Sequence, residues 1–76
     1  MKLKINNDRY DNTGMTYEFE SKEALVAEMM PTLKTWAAEK VDEIISLGAR
    51  GDEIPTESTV LSEMVAELTV AIEVVE

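Results

Sequence analysis

The stretch Glu-Leu-Thr-Val-Ala-Ile-Glu-Val-Val, residues 67–75, reads two ways, and the fold turns on which holds. Read with the residues before it, Leu61, Met64, Val65, Leu68, Ile72 and Val75 recur at helical spacing and share one face. Read alone, Leu68, Val70, Ile72 and Val74 alternate with Thr69, Ala71 and Glu73, and the segment is rich in β-branched residues. A change from helix to strand normally carries a stop signal, yet no Gly, Pro, Asn or Asp follows Pro55. The helix is therefore the expectation, at the cost of turning Val70 and Val74 away from the core. A third strand over residues 68–75 is the alternative.

Upstream, Thr56 or Ser58 can cap this helix, and residues 49–55 read as a loop. Before the loop, Ser21 is a good N-cap and Glu23 suits the first turn. Leu25, Val26, Met29, Leu33, Trp36, Ala37, Val41, Ile44 and Ile45 then keep near-helical spacing. Pro31 interrupts them, and an interior proline costs a helix about 3 kcal/mol. Two readings survive: one kinked helix over 22–47, or a break near Met29 with a restart at Pro31. Gly48 suits the left-handed position that ends a helix.

Residues 2–6 and 15–20 alternate as half-buried strands do, with Leu3, Ile5, Met15, Tyr17 and Phe19 facing inward. The polar stretch 7–14 between them ends in Asn12-Thr13-Gly14, a turn signal. The expected fold class is α+β. One domain spans residues 1–76: an N-terminal β-hairpin packed by a Pro-broken helix and an acidic C-terminal helix.

The charge is uneven. Residues 51–76 hold seven acids and no base, whereas residues 1–50 hold nine acids and all seven bases, for a net charge of −9. Such a chain repels nucleic acid and anionic membrane and attracts basic surfaces. Seventy-six residues leave room for one small core. No Cys and no His occur, which removes disulfides, thiolate metal sites and the commonest general base. The four serines have no recognisable neighbouring base, so no enzyme is expected. The polar loop 6–12 does not match a calcium loop, and neither metal nor cofactor is expected. Lys2 and Lys4 could begin a secretory signal, but Asn6, Asn7 and Asp8 follow before any apolar stretch forms. No run is long enough to span a membrane. A cytoplasmic location is the expectation. Arg50-Gly51-Asp52 matches the integrin-binding tripeptide but fits an ordinary interhelical turn.

The candidate site is therefore a partner-binding surface. Glu63, Glu67 and Glu73 point away from the apolar face of the expected helix, and Glu57 opens it. Acids one turn apart fall within a small multiple of the phosphate spacing of duplex DNA, about 3.4 Å per strand. Asp42, Glu43, Asp52 and Glu53 would extend that surface across the loop. Asp42, Glu43, Glu73 and Glu76 are also placed near expected helix C-termini, where negative charge is disfavoured. Glu39 and Glu43 are like charges one turn apart. Val70 and Val74, one turn apart among the acids, form a candidate apolar contact.

In length, acidity and lack of Cys and His, the chain is similar to small inhibitors encoded by phages and mobile elements. These include anti-CRISPR, anti-restriction and other DNA-mimic proteins; the likeness lies in composition and involves no motif. It implies a non-enzymatic inhibitor that blocks the basic groove of a nucleic-acid-handling protein without itself binding nucleic acid or membrane. The alternative is a structural or adaptor protein that self-associates, as a homodimer, through Val70 and Val74.

Overall fold

The computed structural model describes residues 1–75. It is a small α+β domain. Strand β1 (Lys2–Ile5) and strand β2 (Thr16–Glu18) form the hairpin; helix α1 (Lys22–Ser46) and helix α2 (Glu57–Ala71) follow, and strand β3 (Ile72–Val74) closes the chain. The sheet order is β2-β1-β3, with both pairings antiparallel.

The tail is thus helix and strand in succession. The change falls at Ala71–Ile72 with no left-handed residue to mark it. The stop is supplied from outside the segment. β1 offers an open edge, and Ile72, Glu73 and Val74 pair in register with Ile5, Lys4 and Leu3. The Asn6 amide donates to the carbonyl of Ala71 at 2.9 Å, and the Val75 amide donates to Lys2 at 3.0 Å. One orphan carbonyl of the helix end, that of Ala71, is thereby satisfied by the Asn6 amide just after β1, while the Ile72 amide closes back on Leu68 and Thr69. This corrects the expectation of a helix through residue 75. Glu73 is not on a helix, and Val70 and Val74 are not a helical pair. Glu76 lies outside the described residues.

Helix α1 runs unbroken through Pro31. Pro31 and Ala27, whose carbonyl loses its donor, both lie on the exposed side of the helix. Water can take the bond the proline removes, so the helix survives. The Ser21 hydroxyl accepts from the Ala24 amide at 3.1 Å and caps the start. At the other end Gly48 adopts φ 98°. Its amide donates to Ile45 and that of Ala49 to Ile44, which is the paired closure of a glycine-stopped helix. A short 3-10 turn (Gly51–Glu53) reverses the chain, and Thr56 caps α2 by accepting from the Thr59 amide at 3.1 Å.

Leu3 and Ile5 of β1, Leu25, Val26 and Leu33 of α1, and Leu68 and Ile72 of the tail form one buried cluster. Tyr17 and Phe19 pack at its margin, as expected, but Met15 precedes β2 and is 58% exposed. The outer sheet face sets Lys2 opposite Glu18 and Lys4 opposite Glu73. The molecule measures 46 × 19 × 17 Å, because the helix pair projects beyond the sheet.

The loop between β1 and β2 is tied down by Asp11. Its carboxylate accepts from the Tyr17 hydroxyl at 2.5 Å, the Thr13 hydroxyl at 2.7 Å and the Thr13 amide at 2.9 Å. These bonds, the Tyr17 one foremost, hold the Asp11 carboxyl below its usual pKa. A depressed carboxyl stabilises the fold above its unfolded pKa, and the contribution is lost as pH falls through the folded value. The loop is therefore fully tied at neutral pH.

Three ion pairs occur among the described residues, at Met1–Glu18, Arg9–Glu67 and Lys40–Glu43, all substantially exposed. They leave most of the net −9 uncompensated. Raising sodium chloride from about 0.01 M to about 0.1 M shortens the screening length from roughly 30 Å to 10 Å. The melting temperature is expected to rise by about 4 °C, on the order of 1 kcal/mol for a domain of this size. A thermal melt followed by circular dichroism checks this, and an unmoved midpoint would mean the acids do not repel one another appreciably.

Candidate functional site: an acidic cleft between the helices

Helix α1 leaves the sheet and α2 returns to it, so the two helices run antiparallel. Toward the sheet they are joined by the core. Farther out they part around a cleft of about 360 Å³. Trp36, Glu39, Lys40, Glu43 and Ile44 line it from α1, and Val60, Glu63, Met64 and Glu67 line it from α2. Both sets follow helical spacing, so each is one helix face. Glu39 and Glu43 are one turn apart on one wall, and Glu63 and Glu67 one turn apart on the other. The β1–β2 loop brings Arg9 and Tyr10 to the cleft, and the interhelical turn brings Pro55.

Four carboxylates thus meet two cations, leaving a local charge of −2. The cations are engaged. Lys40 Nζ lies 3.8 Å from Glu43, and Arg9 Nη1 donates to Glu67 Oε1 at 3.4 Å. The Asn7 side-chain amide donates to the same Oε1 at 3.2 Å. Glu67 therefore fastens the loop to α2 as well as lining the cleft. Glu39 and Glu63 have no ion-pair partner among the described residues.

Tyr10 has an unusual position. It belongs to the buried core, at 5% exposure, and its ring stands 6.1 Å from that of Trp36. Its hydroxyl is buried and makes no hydrogen bond of normal geometry among the described residues, although Arg9 and Glu67 stand close to it. Burial first, and then the charge of Glu67, push the phenol above its ordinary pKa, with Arg9 opposing. It is neutral at physiological pH.

The expected surface residues are dispersed over the molecule, and only some of them meet. Glu43, Glu63 and Glu67 come together in the cleft. Glu57 faces a smaller hollow beside Lys34 and Leu61, while Asp42 lies on α1 outside the cleft lining. Asp52 and Glu53 are exposed on the 3-10 turn. Glu73 sits on β3, opposite Lys4 and hydrogen-bonded by Asn6, and Val74 sits on the same strand. Val70 is 87% exposed near the end of α2. Glu39, Trp36 and Lys40 join the site without having been singled out for it, whereas Arg9 and Tyr10, at the tip of the polar loop 6–12, are residues the sequence offers for contact with a partner. Glu39 and Glu63 each open an i, i+4 acid pair, a spacing visible in sequence, but only the tertiary fold sets the two pairs face to face.

No group of acidic residues among those described is arranged to hold a metal ion. Among the described residues no helix is long and apolar enough to cross a membrane. Comparison with protein-family models, with curated proteins and with solved structures finds no match to this chain.

Proposed function

We propose that this protein is a non-enzymatic inhibitor that occupies a basic groove of a nucleic-acid-handling protein, as an anti-CRISPR or anti-restriction protein does. One observation carries the reading: two antiparallel helices set Glu39, Glu43, Glu63 and Glu67 in two facing pairs on a chain of net charge −9. Acids one helical turn apart stand about 6 Å from each other along the axis. That spacing, repeated on two parallel tracks, offers Lys and Arg side chains a substitute for two phosphate strands. Charge of this density speeds encounter, and desolvated pairs at the centre supply specificity. The action is steric and electrostatic and needs no catalytic group. The setting is the cytoplasm of a bacterium, where such targets work.

The test begins with capture from a bacterial lysate at low salt and elution at high salt. The recovered protein is then assayed for nucleic-acid binding with and without this protein. Competition that fades steeply as salt rises is expected. A captured partner that holds nucleic acid and this protein at the same time would overturn the reading.

A second reading rests on the other end of the molecule. β3 is an edge strand, with Val74 and Val75 partly exposed, and Val70 is largely exposed in the last turn of α2 just before it. Such an edge can pair with a second copy. A dimer that persists in high salt by sedimentation would favour self-association instead.

A further inference from the structure

Four acceptors and two aromatic faces converge on the cleft with nothing to receive. Glu39 and Glu63 lack ion-pair partners, and both donors to Glu67 end on Oε1, leaving Oε2 without one among the described residues. The Tyr10 hydroxyl is buried and unbonded. A buried polar group without a partner is costly, so its presence at a cleft wall calls for an explanation. The rings of Tyr10 and Trp36, inclined at 45°, stand beside it.

We propose that the cleft is a socket for one arginine side chain of the partner. A guanidinium is planar, carries five N–H donors and cannot be deprotonated in a protein. It can donate to carboxylates on opposite walls at once, to Glu39 on α1 and to Glu63 and Glu67 Oε2 on α2. Its remaining donors can reach the Tyr10 oxygen, which accepts. Its face can lie against Trp36, the aromatic residue that binds cations best. A lysine ammonium is a compact, strongly hydrated charge and makes poor use of acceptors spread over two walls and a ring face. At about 360 Å³ the cleft has ample room for one such side chain. An anion is excluded by the local charge of −2 and by the engagement of Arg9 and Lys40.

The choice of a basic partner rests on the proposed function, but the socket is tested without any partner. Trp36 is the only tryptophan of the chain, so its fluorescence reports on the cleft directly. The probe is Nα-acetyl-argininamide, titrated into the intact protein. A saturable change with a dissociation constant on the order of 1 mM is expected. The neutral citrulline analogue should give none, and the lysine analogue should bind at least about fivefold more weakly. Tyr10→Phe should weaken the arginine probe about fivefold while the melting temperature holds or rises, because the substitution removes only a buried, unbonded hydroxyl. A hydroxyl that served packing alone would leave probe binding unmoved.

An equal response to citrulline, no saturation, or undiminished binding by Tyr10→Phe would overturn the socket. Competition for nucleic acid judges the wider reading separately. If a captured partner is competed by the parent and by Tyr10→Phe alike, the socket fails and the electrostatic inhibitor stands. If the arginine probe binds as described and no nucleic-acid protein is competed, the socket stands and the inhibitor reading fails.

Discussion

Neutralising Glu39 and Glu63 together, as Glu39→Gln/Glu63→Gln, is expected to raise the melting temperature and to weaken partner binding roughly 100-fold. The two effects have one cause. Each carboxylate faces other carboxylates across the cleft and has no ion pair among the described residues. Their mutual repulsion is a cost to the free domain, and Gln removes it while keeping size and helix propensity. In the proposed complex the same carboxylates would meet Lys and Arg in a partly dried setting. Gln keeps a hydrogen-bonding oxygen, so each substitution is expected to cost about 1.4 kcal/mol, below the roughly 2–5 kcal/mol of truncating one partner of a fully buried pair, and 1.4 kcal/mol is tenfold in affinity.

Opposite movement of stability and binding distinguishes a functional surface from a solubilising one. If the acids only kept the protein soluble, neutralising them would leave binding within about twofold. Glu67 is left intact in this experiment for a structural reason. It holds Asn7 and Arg9, so its replacement would release the loop that carries Tyr10. Glu57 makes a useful control. It is exposed beside Lys34, outside the cleft lining, and Glu57→Gln should change affinity by no more than a rim charge does, about 1 kcal/mol or less. Affinity by calorimetry and midpoint by thermal melt, on the same samples, decide the matter.

How much of this could be read from the chain depends on how local each signal is. Ser21 caps α1 and Gly48 stops it through bonds within a few residues, and both are visible in sequence. The hairpin is visible too, though its strands are shorter than their alternating stretches, because Met15 and Phe19 fall outside the paired register. Pro31 stays ambiguous in sequence because its cost depends on whether the freed carbonyl of Ala27 meets water or core, and the fold decides that. The tail is ambiguous for a stronger reason. Residues 67–75 satisfy helical and strand periods at once, and the choice at Ile72 is made by β1, some 70 residues earlier in the chain.

The same division separates the two parts of the site. Glu43, Glu63 and Glu67 are legible as exposed acids on helices, since spacing alone places them. Glu73 is drawn into that group only if the tail is taken as helix throughout. Tyr10 looks like the tip of a polar loop, and nothing near it in sequence shows that it turns inward onto Trp36. What gathers the cleft is the path of three separate segments over one core, and that is a tertiary property.

Because the core holds those segments in place, its weakest supportable point sets the stability of the whole. Leu68→Ala is expected to destabilise the domain by about 3 kcal/mol, within the usual range for a buried leucine truncated to alanine. Leu68 is fully buried, and it lies one turn before the change from α2 to β3. It packs in the cluster that also contains Leu3, Leu33 and Ile72, so its loss leaves a cavity where both helices and the sheet meet. A domain of 76 residues has a total stability of about 4–11 kcal/mol, and the variant should be substantially unfolded near body temperature if the parent lies at the low end. Urea unfolding should show a lower midpoint with little change in slope. Leu47→Ala is the matched control: Leu47 is 80% exposed after α1 and should move the midpoint by no more than about 0.5 kcal/mol. Amide exchange adds the decisive detail. β3 has no local stop signal and is held by β1 and by the core beneath Leu68, so protection at Glu73 and Val75 should fall with the global stability. If Leu68→Ala cost less than 1 kcal/mol, or if those amides kept their protection, the tail would be docked by something other than this core.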